Sequence, residues 1–293
     1  RDSSTSRGLG DVYKRQIELS ASHVGELLTC PRRWFMTRRA GASSGSAFRA
    51  SIGSLVHRIC AENMDQWSLP KALAELEAAW PEIELSAEWQ RSAELADAKA
   101  AVQRFDGWLQ LRNRQLIGTE VRVDGTITVP SGTARVRGSI DRLERDAEGA
   151  YYVVDLKTGT SQSDEIKQSH RLQIGVYQAV VASGGVEAIG PTSVSGAELV
   201  HLRIGAGKGQ ANPKVDYQNG LVDVPWPDEA EAVDGCCNWI EASVDRALRI
   251  VRSGEYPAIA NRGCGHCPAR AGCPALVPMD PATAGSDRRR NVP

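Results

Sequence analysis

Asp141, Asp155 and Lys157 are spaced to do chemistry together. The stretch Gly138-Ser139-Ile140-Asp141-Arg142-Leu143 leads into a polar turn, Asp146-Ala147-Glu148-Gly149, and then Tyr151-Tyr152-Val153-Val154-Asp155-Leu156-Lys157-Thr158-Gly159. A hairpin centred near Glu148 sets Asp141 directly opposite Asp155, with Cβ atoms about 5 Å apart. Side chains alternate along a strand, so Lys157 shares the face of Asp155 while Leu156 points the other way. Two like charges so close are costly unless a cation lies between them. A divalent metal with a lysine beside it is the equipment of a phosphodiester-cleaving site. The alternative is a solvated turn with a plain Asp155–Lys157 ion pair. The hydrophobic run before the lysine and the matching register of Asp141 weigh against it.

Other residues join this set at a distance. Gln173 and Tyr177 are four apart and share a helix face; taken alone, that pair describes a polar face at a core margin. His57 lies on an amphipathic helix, in Ser54-Leu55-Val56-His57-Arg58, where a lone histidine is ordinarily structural or solvated. Cys264, Cys267 and Cys273 stand at C-x2-C-x5-C spacing among glycines and a proline, and need a fourth ligand. Cys30, before Pro31 at a helix break, is the candidate. Four thiolates suit zinc or an iron–sulfur cluster. Cys60, Cys236 and Cys237 have no such spacing. Gly205-Ala206-Gly207-Lys208-Gly209 lacks the G-x4-G-K-[ST] order of a phosphate loop, so the chain carries no motor of its own.

The elements that must position these residues follow from periodicity. Residues 17–116 read as helical, with Leu19, His23, Leu27 and Leu28 in a first helix and Trp34, Phe35 and Met36 in a second among Arg32, Arg33, Arg38 and Arg39, a candidate basic patch. Residues 41–46 read as a loop, followed by a helix through His57 and two alanine- and glutamate-rich helices over 70–115. The period changes near Glu120: strands over 121–129, 134–145 and from Tyr151 are followed by a helix over 165–183, strands at 198–204 and near Val215, and a last helix over 228–253. The expected fold is α/β: a mixed sheet flanked by helices, divided into a helical part (17–116), a catalytic core (117–225) and a helix with the cysteine loop (226–277). Residues 1–16 read as a leader, linker or artefact and 278–293 as a disordered tail, and the chain as the C-terminal piece of a longer protein. With 293 residues, a net charge of −1 and 28 arginines against 7 lysines, nothing global marks a nucleic-acid binder; contacts must come from local patches. No apolar run approaches a membrane span. Seven cysteines, three of them clustered, fit a metal site in a reducing compartment better than a disulfide framework.

In order and joint presence these blocks resemble the RecB-like branch of the PD-(D/E)XK nuclease superfamily. More narrowly, they resemble the iron–sulfur-containing nuclease domains at the C-terminus of bacterial helicase–nucleases of the AddB and AdnAB type. The resemblance covers residues 17–276, from Leu19-Ser20-Ala21-Ser22 and Cys30-Pro31-Arg32-Arg33 through Gly53-Ser54-Leu55-Val56-His57 to the hairpin, the Gln173/Tyr177 pair and the terminal cysteines. It implies a restriction-endonuclease-like fold. It also implies Mg²⁺ or Mn²⁺ held by His57, Asp141, Asp155 and the Leu156 carbonyl. Lys157 would position the attacking water, with Gln173 and Tyr177 shaping the site and touching DNA. Glu120, just before the first core strand, fits an acidic position of relatives. Cys30, Cys264, Cys267 and Cys273 would hold a [4Fe–4S] cluster. The implied function is a DNA exonuclease acting on single-stranded ends beside a helicase in the bacterial cytoplasm. The other readings are a non-catalytic DNA-binding module and a zinc-stapled structural domain.

Overall fold

The computed structural model describes residues 16–42, 47–62, 66–85, 87–160, 163–207, 212–222 and 232–276; the leader, the 278–293 tail and most of the 41–46 loop fall outside them. The chain runs β1 (Ile17–Leu19), α1 (Ala21–Thr29), α2 (Pro31–Arg38), α3 (Ala47–Glu62), α4 (Leu69–Ala79), α5 (Arg91–Leu109), β2 (Gln115–Val129), β3 (Gly132–Arg145), β4 (Tyr151–Lys157), α6 (Asp164–Ala182), β5 (Val194–Gly205), β6 (Pro213–Asn219) and α7 (Trp239–Ser253). The expected α/β architecture is present: six strands form one mixed sheet with helices on both faces.

β3 is the spine. β2 pairs antiparallel along one of its edges, and on the other β1 lies parallel to its first half while β4 lies antiparallel to its last residues. β5 continues parallel to β4, and β6 closes the order antiparallel to β5. Because β1 contacts β3 only at Ala134–Val136 and β4 only at Arg142–Arg145, the middle of β3 has no ladder partner on that edge among the described residues. The carboxylates gather at this gap.

Two apolar layers hold the sheet. On one face α1, α2, α6 and α7 contribute Val24, Leu27, Trp34, Leu172, Ile174, Val180 and Leu248 against Ile140, Leu143, Val153 and Leu199. On the other, α3, α4 and α5 bring Val56, Ile59, Leu76, Phe105 and Trp108 onto Val154, Leu156, Val200 and Leu202. The helices of the 17–116 segment are thus divided between opposite faces. Gly25 makes the first layer close-packed: a Cβ there would lie 2.3 Å from Ser169 Oγ, so α1 rides directly on α6.

Several boundaries differ from the expectation. Ile17–Leu19 is a strand and not a helical turn, since three residues are too few to show a period and parallel pairing with β3 decides them. β2 begins at Gln115, so Glu120 lies inside it and not ahead of it. β5 begins at Val194, four residues before the expected start at Glu198. The last helix begins at Trp239, after non-helical residues 232–238, while the expected start near 228 lies outside the described residues; Asn238 caps it, its side chain accepting from the backbone N–H groups of Ile240 and Glu241 at 3.0 Å each.

Candidate active site

The hairpin register decides the central geometry. Arg142 pairs with Val154 and Leu143 with Val153, which sets Asp141 across from Asp155 about a turn at Asp146–Ala150. On the β2 side Thr119 pairs with Arg142 and Val121 with Ile140, so Glu120 faces Asp141. One rung of the sheet thus carries three carboxylates, on β2, β3 and β4. Glu120 adopts a left-handed backbone (φ 48°), which for a residue with a Cβ costs on the order of 1 kcal/mol.

Helices complete the rung from both faces. His57 arrives from α3, its Nδ1 3.5 Å from Asp141 Oδ1. The close approach of α3 depends on Gly53, where a Cβ would meet Thr158 Oγ1 at 2.8 Å. Ligand atoms of His57, Glu120 and Asp141 lie within 4.8 Å of one another, close enough to share one metal ion. They line an open cleft of about 560 Å³ with Ser54, Arg58 and Thr158. From the opposite face α6 supplies Gln173, whose Nε2 donates to Asp155 Oδ1 at 3.0 Å and whose Oε1 accepts from Lys157 Nζ at 2.8 Å. Lys157 Nζ is also 2.7 Å from Asp155 Oδ2. Asp141 Oδ2 accepts the Leu156 N–H at 2.6 Å, tying the hairpin at its open end.

The electrostatics follow from burial. Asp155 is 4% exposed, and desolvation lifts its carboxyl to about 6 against the pull of Lys157, with Asp141 adding repulsion. Burial opposes the charged form of His57, but its bond to Asp141 and the charges of Asp141 and Asp155 outweigh that and raise it. Tyr177 is pushed up by burial and by both aspartates. Its hydroxyl sits against the backbone of β3, where a Cβ at Gly138 would lie 3.1 Å away. Buried Asp155 and half-buried Asp141, meeting a histidine and a third carboxylate, make a donor set that suits a hard divalent cation.

The structure therefore brings His57, Asp141, Asp155, Lys157, Gln173 and Tyr177 together and draws Glu120 in among them. Sequence reasoning missed two neighbours. His170, one turn before Gln173 on α6, is held neutral, its pKa lowered to about 3 by burial and by the charge of Lys157. His201 is the β5 partner of Lys157 and sits 2.8 Å from Asp216. Cross-strand register is the signal that could have found His201.

A family model described as the PD-(D/E)XK nuclease superfamily matches residues 18–274. The chain belongs to that superfamily. Among solved structures this nuclease-family chain is similar to the one titled "Crystal structure of SSO0001", at 17% identity over 90% of this chain and 89% of the other, with a TM-score of 0.43. No curated protein matches it.

The four spaced cysteines lie apart from this rung. Cys30, Cys264, Cys267 and Cys273 line one pocket with Arg32, Arg33 and Arg270. The loop is held by turns: Asn261 Oδ1 accepts from Gly263 N–H at 2.9 Å, and Cys267, Arg270 and Cys273 each donate to the carbonyl three residues back. Backbone N–H groups of Ile259 and Asn261 point at the sulfurs of Cys30 and Cys264, at 3.5 and 3.3 Å. Tyr256 stacks on Phe35 and Trp34 of α2, bringing the C-terminal segment to Cys30. The expected basic patch on α2 is dispersed: Arg32 and Arg33 line this pocket, Arg38 pairs with Glu26, and Arg39 lies over the Trp34 ring. Among the other cysteines, Cys60 is buried, Cys236 half-buried and Cys237 exposed.

Proposed function

We propose that this chain is a Mg²⁺- or Mn²⁺-dependent deoxyribonuclease, the exonuclease domain of a helicase–nuclease that trims single-stranded ends during double-strand-break processing in the bacterial cytoplasm. The observation that carries the reading is the meeting of His57, Glu120 and Asp141 with the Asp155–Lys157–Gln173 triangle at one sheet gap. His57, Glu120, Asp141, Asp155 and the Leu156 carbonyl would hold the metal. When bound, it polarises the phosphodiester, acidifies a water and stabilises the leaving oxygen. Gln173 fixes Lys157 and Asp155 relative to each other, so the ammonium is held where it can orient a water and face the charge developing on phosphate. Tyr177 packs the α6 side against Gly138 and keeps bulk water from that flank.

The cysteine pocket is read as a [4Fe–4S] site with a structural role. Backbone N–H groups aimed at two of the sulfurs support a thiolate-bound group there.

The test uses end-labelled single-stranded DNA and a covalently closed circle of the same sequence. Linear DNA should be degraded with Mn²⁺ or Mg²⁺ and spared with chelator, and the circle should survive. Asp155→Ala and Lys157→Ala should each lower the rate by about a hundredfold or more. Cleavage retained by either variant would overturn the catalytic assignment, and rapid loss of the circle would overturn the exonuclease one.

A further inference from the structure

One step along the sheet from the carboxylate rung lies a buried ionic layer that the chemistry above does not use. Glu144 on β3 and Glu198 on β5 are both fully buried. Arg112 bonds both, reaching Glu198 at 2.8 Å, and Arg142 Nε lies 2.6 Å from Glu144 Oε1. Trp108 donates to Glu198 at 3.0 Å, and its ring lies 4.4 Å from the Arg112 guanidinium and 5.6 Å from that of Arg142. Buried ion pairs seldom repay their desolvation as stability. What such a layer fixes in place is therefore the better guide to its role.

It fixes a change of phase. Along β3, Ala134, Val136 and Ile140 pack into the α6-side layer, whereas Arg142 and Glu144, the next residues of the same parity, enter the opposite layer beside Trp108. Strand side chains alternate with period two, so the strand slips by one position at Asp141. β2 slips at the same rung: Val121 packs in the α6-side layer, but Thr119 donates to the Ala61 carbonyl of α3 on the other side, with Glu120 at positive φ between them. Arg142 also borders a narrow void together with His57, Glu120 and Asp141.

We infer that Arg142, anchored by Glu144, is a positioning residue whose grip on the far layer holds the phase slip that turns the Asp141 and Glu120 carboxylates out toward His57. This rests on the reading that those three residues bind a divalent cation. The slip also explains how one site draws on helices from both faces of the sheet, His57 from α3 and Gln173 from α6.

Calorimetric titration of the metal-free full chain with Mn²⁺ tests it, alongside thermal melting of each variant. Arg142→Met should weaken Mn²⁺ binding by about ten- to a hundredfold, the usual cost of losing a residue that orients a ligand. Arg142→Lys should restore part of that loss. Glu198→Gln, in the same layer but bonded to Arg112 and Trp108, should lower Tm and leave Mn²⁺ affinity unchanged. Should Arg142→Met not fold, Glu144→Gln carries the same expectation, since it removes the charge that holds Arg142. Equal Mn²⁺ losses in the Arg142 and Glu198 variants, or none in either, would overturn the inference. If the wild-type chain takes up no Mn²⁺ at all, the metal reading itself fails and the inference falls with it.

Discussion

At the carboxylate rung the ligands sit on neighbouring strands joined by one turn, and helices add His57 from one face and Gln173 from the other. At the cysteine pocket no strand of the described residues takes part: Cys30 ends a helix, and its N–H donor, Ile259, lies 229 residues away on a segment held by turns and stacked rings. The rung inherits its geometry from a sheet with apolar layers on both faces. The pocket has fewer supports: turns within the loop, and Tyr256 stacked on Trp34 and Phe35 of α2. Removing a ligand should therefore cost chemistry at the first site and folding at the second.

The sharpest way to break that contrast is to remove one residue from each. Lys157→Ala should lower cleavage by about a hundredfold or more and cost less in Tm than the loss of a cysteine. Cys30→Ser should do the reverse in order of cause: the group proposed for the pocket, with its iron and sulfide, should be lost, and the segments around Cys30 and Cys264 should come apart. A crosslink of this kind is worth about 2–5 kcal/mol, and each kcal/mol moves Tm by roughly 2–4 °C in a domain of this size, so Tm should fall by about 10 °C. Paired measurement of Tm and iron content checks it. A Cys30→Ser protein that loses its iron yet melts with the wild type would erase the distinction.

The two regions were also unequally legible in the sequence. Opposition of Asp141 and Asp155 follows from a polar turn and an alternating pattern, and the structure has that register. The cysteine spacing pointed to one pocket, and Cys30 lines it with the other three. Helix faces gave the Gln173/Tyr177 pair for the same reason, since i and i+4 are fixed by helix geometry. What stayed hidden depends on longer-range packing. A lone histidine on an amphipathic helix carries no sign of what it faces; the family resemblance singled out His57, and the packing of α3 on the sheet, with Gly53 close against Thr158, places it at the rung. Strict alternation along 121–145 could not anticipate a slip at Glu120 and Asp141, which rests on one positive φ and a buried ionic layer. β1 is three residues long and takes its conformation from β3.

A smaller effect separates the sites by pH. Asp155 is raised to about 6 in the folded metal-free protein, chiefly by burial. The folded state then holds the proton more tightly than the unfolded chain does, so the contribution of Asp155 to stability is full below about pH 4. It is lost as pH rises through about 6. A bound cation favours the ionised carboxylate and removes that penalty. Mn²⁺ should accordingly raise Tm more at pH 7.5 than at pH 5.5, while Cys30→Ser leaves the increment intact. An increment independent of pH between those values would mean that Asp155 does not exchange a proton for the metal.

The smallest expected effect concerns how closely α3 must approach the rung. A methyl group at position 53 would lie 2.8 Å from Thr158 Oγ1, nearer than real Cβ contacts come, so the Thr158 side chain, α3 or the turn after Lys157 has to yield. Gly53→Ala should shift His57 relative to Asp141 by a fraction of an ångström, enough to weaken a shared metal ion because ligand geometry tolerates little error. Metal requirement should rise several-fold with little change in Tm, since glycine to alanine within a helix gains intrinsic propensity. Thr158→Ala in the same chain removes the obstructing hydroxyl and should recover most of the loss. Failure of that second substitution to rescue would show that Gly53 matters for some reason other than space, and would loosen the claim that the sheet-borne rung is set by packing from α3.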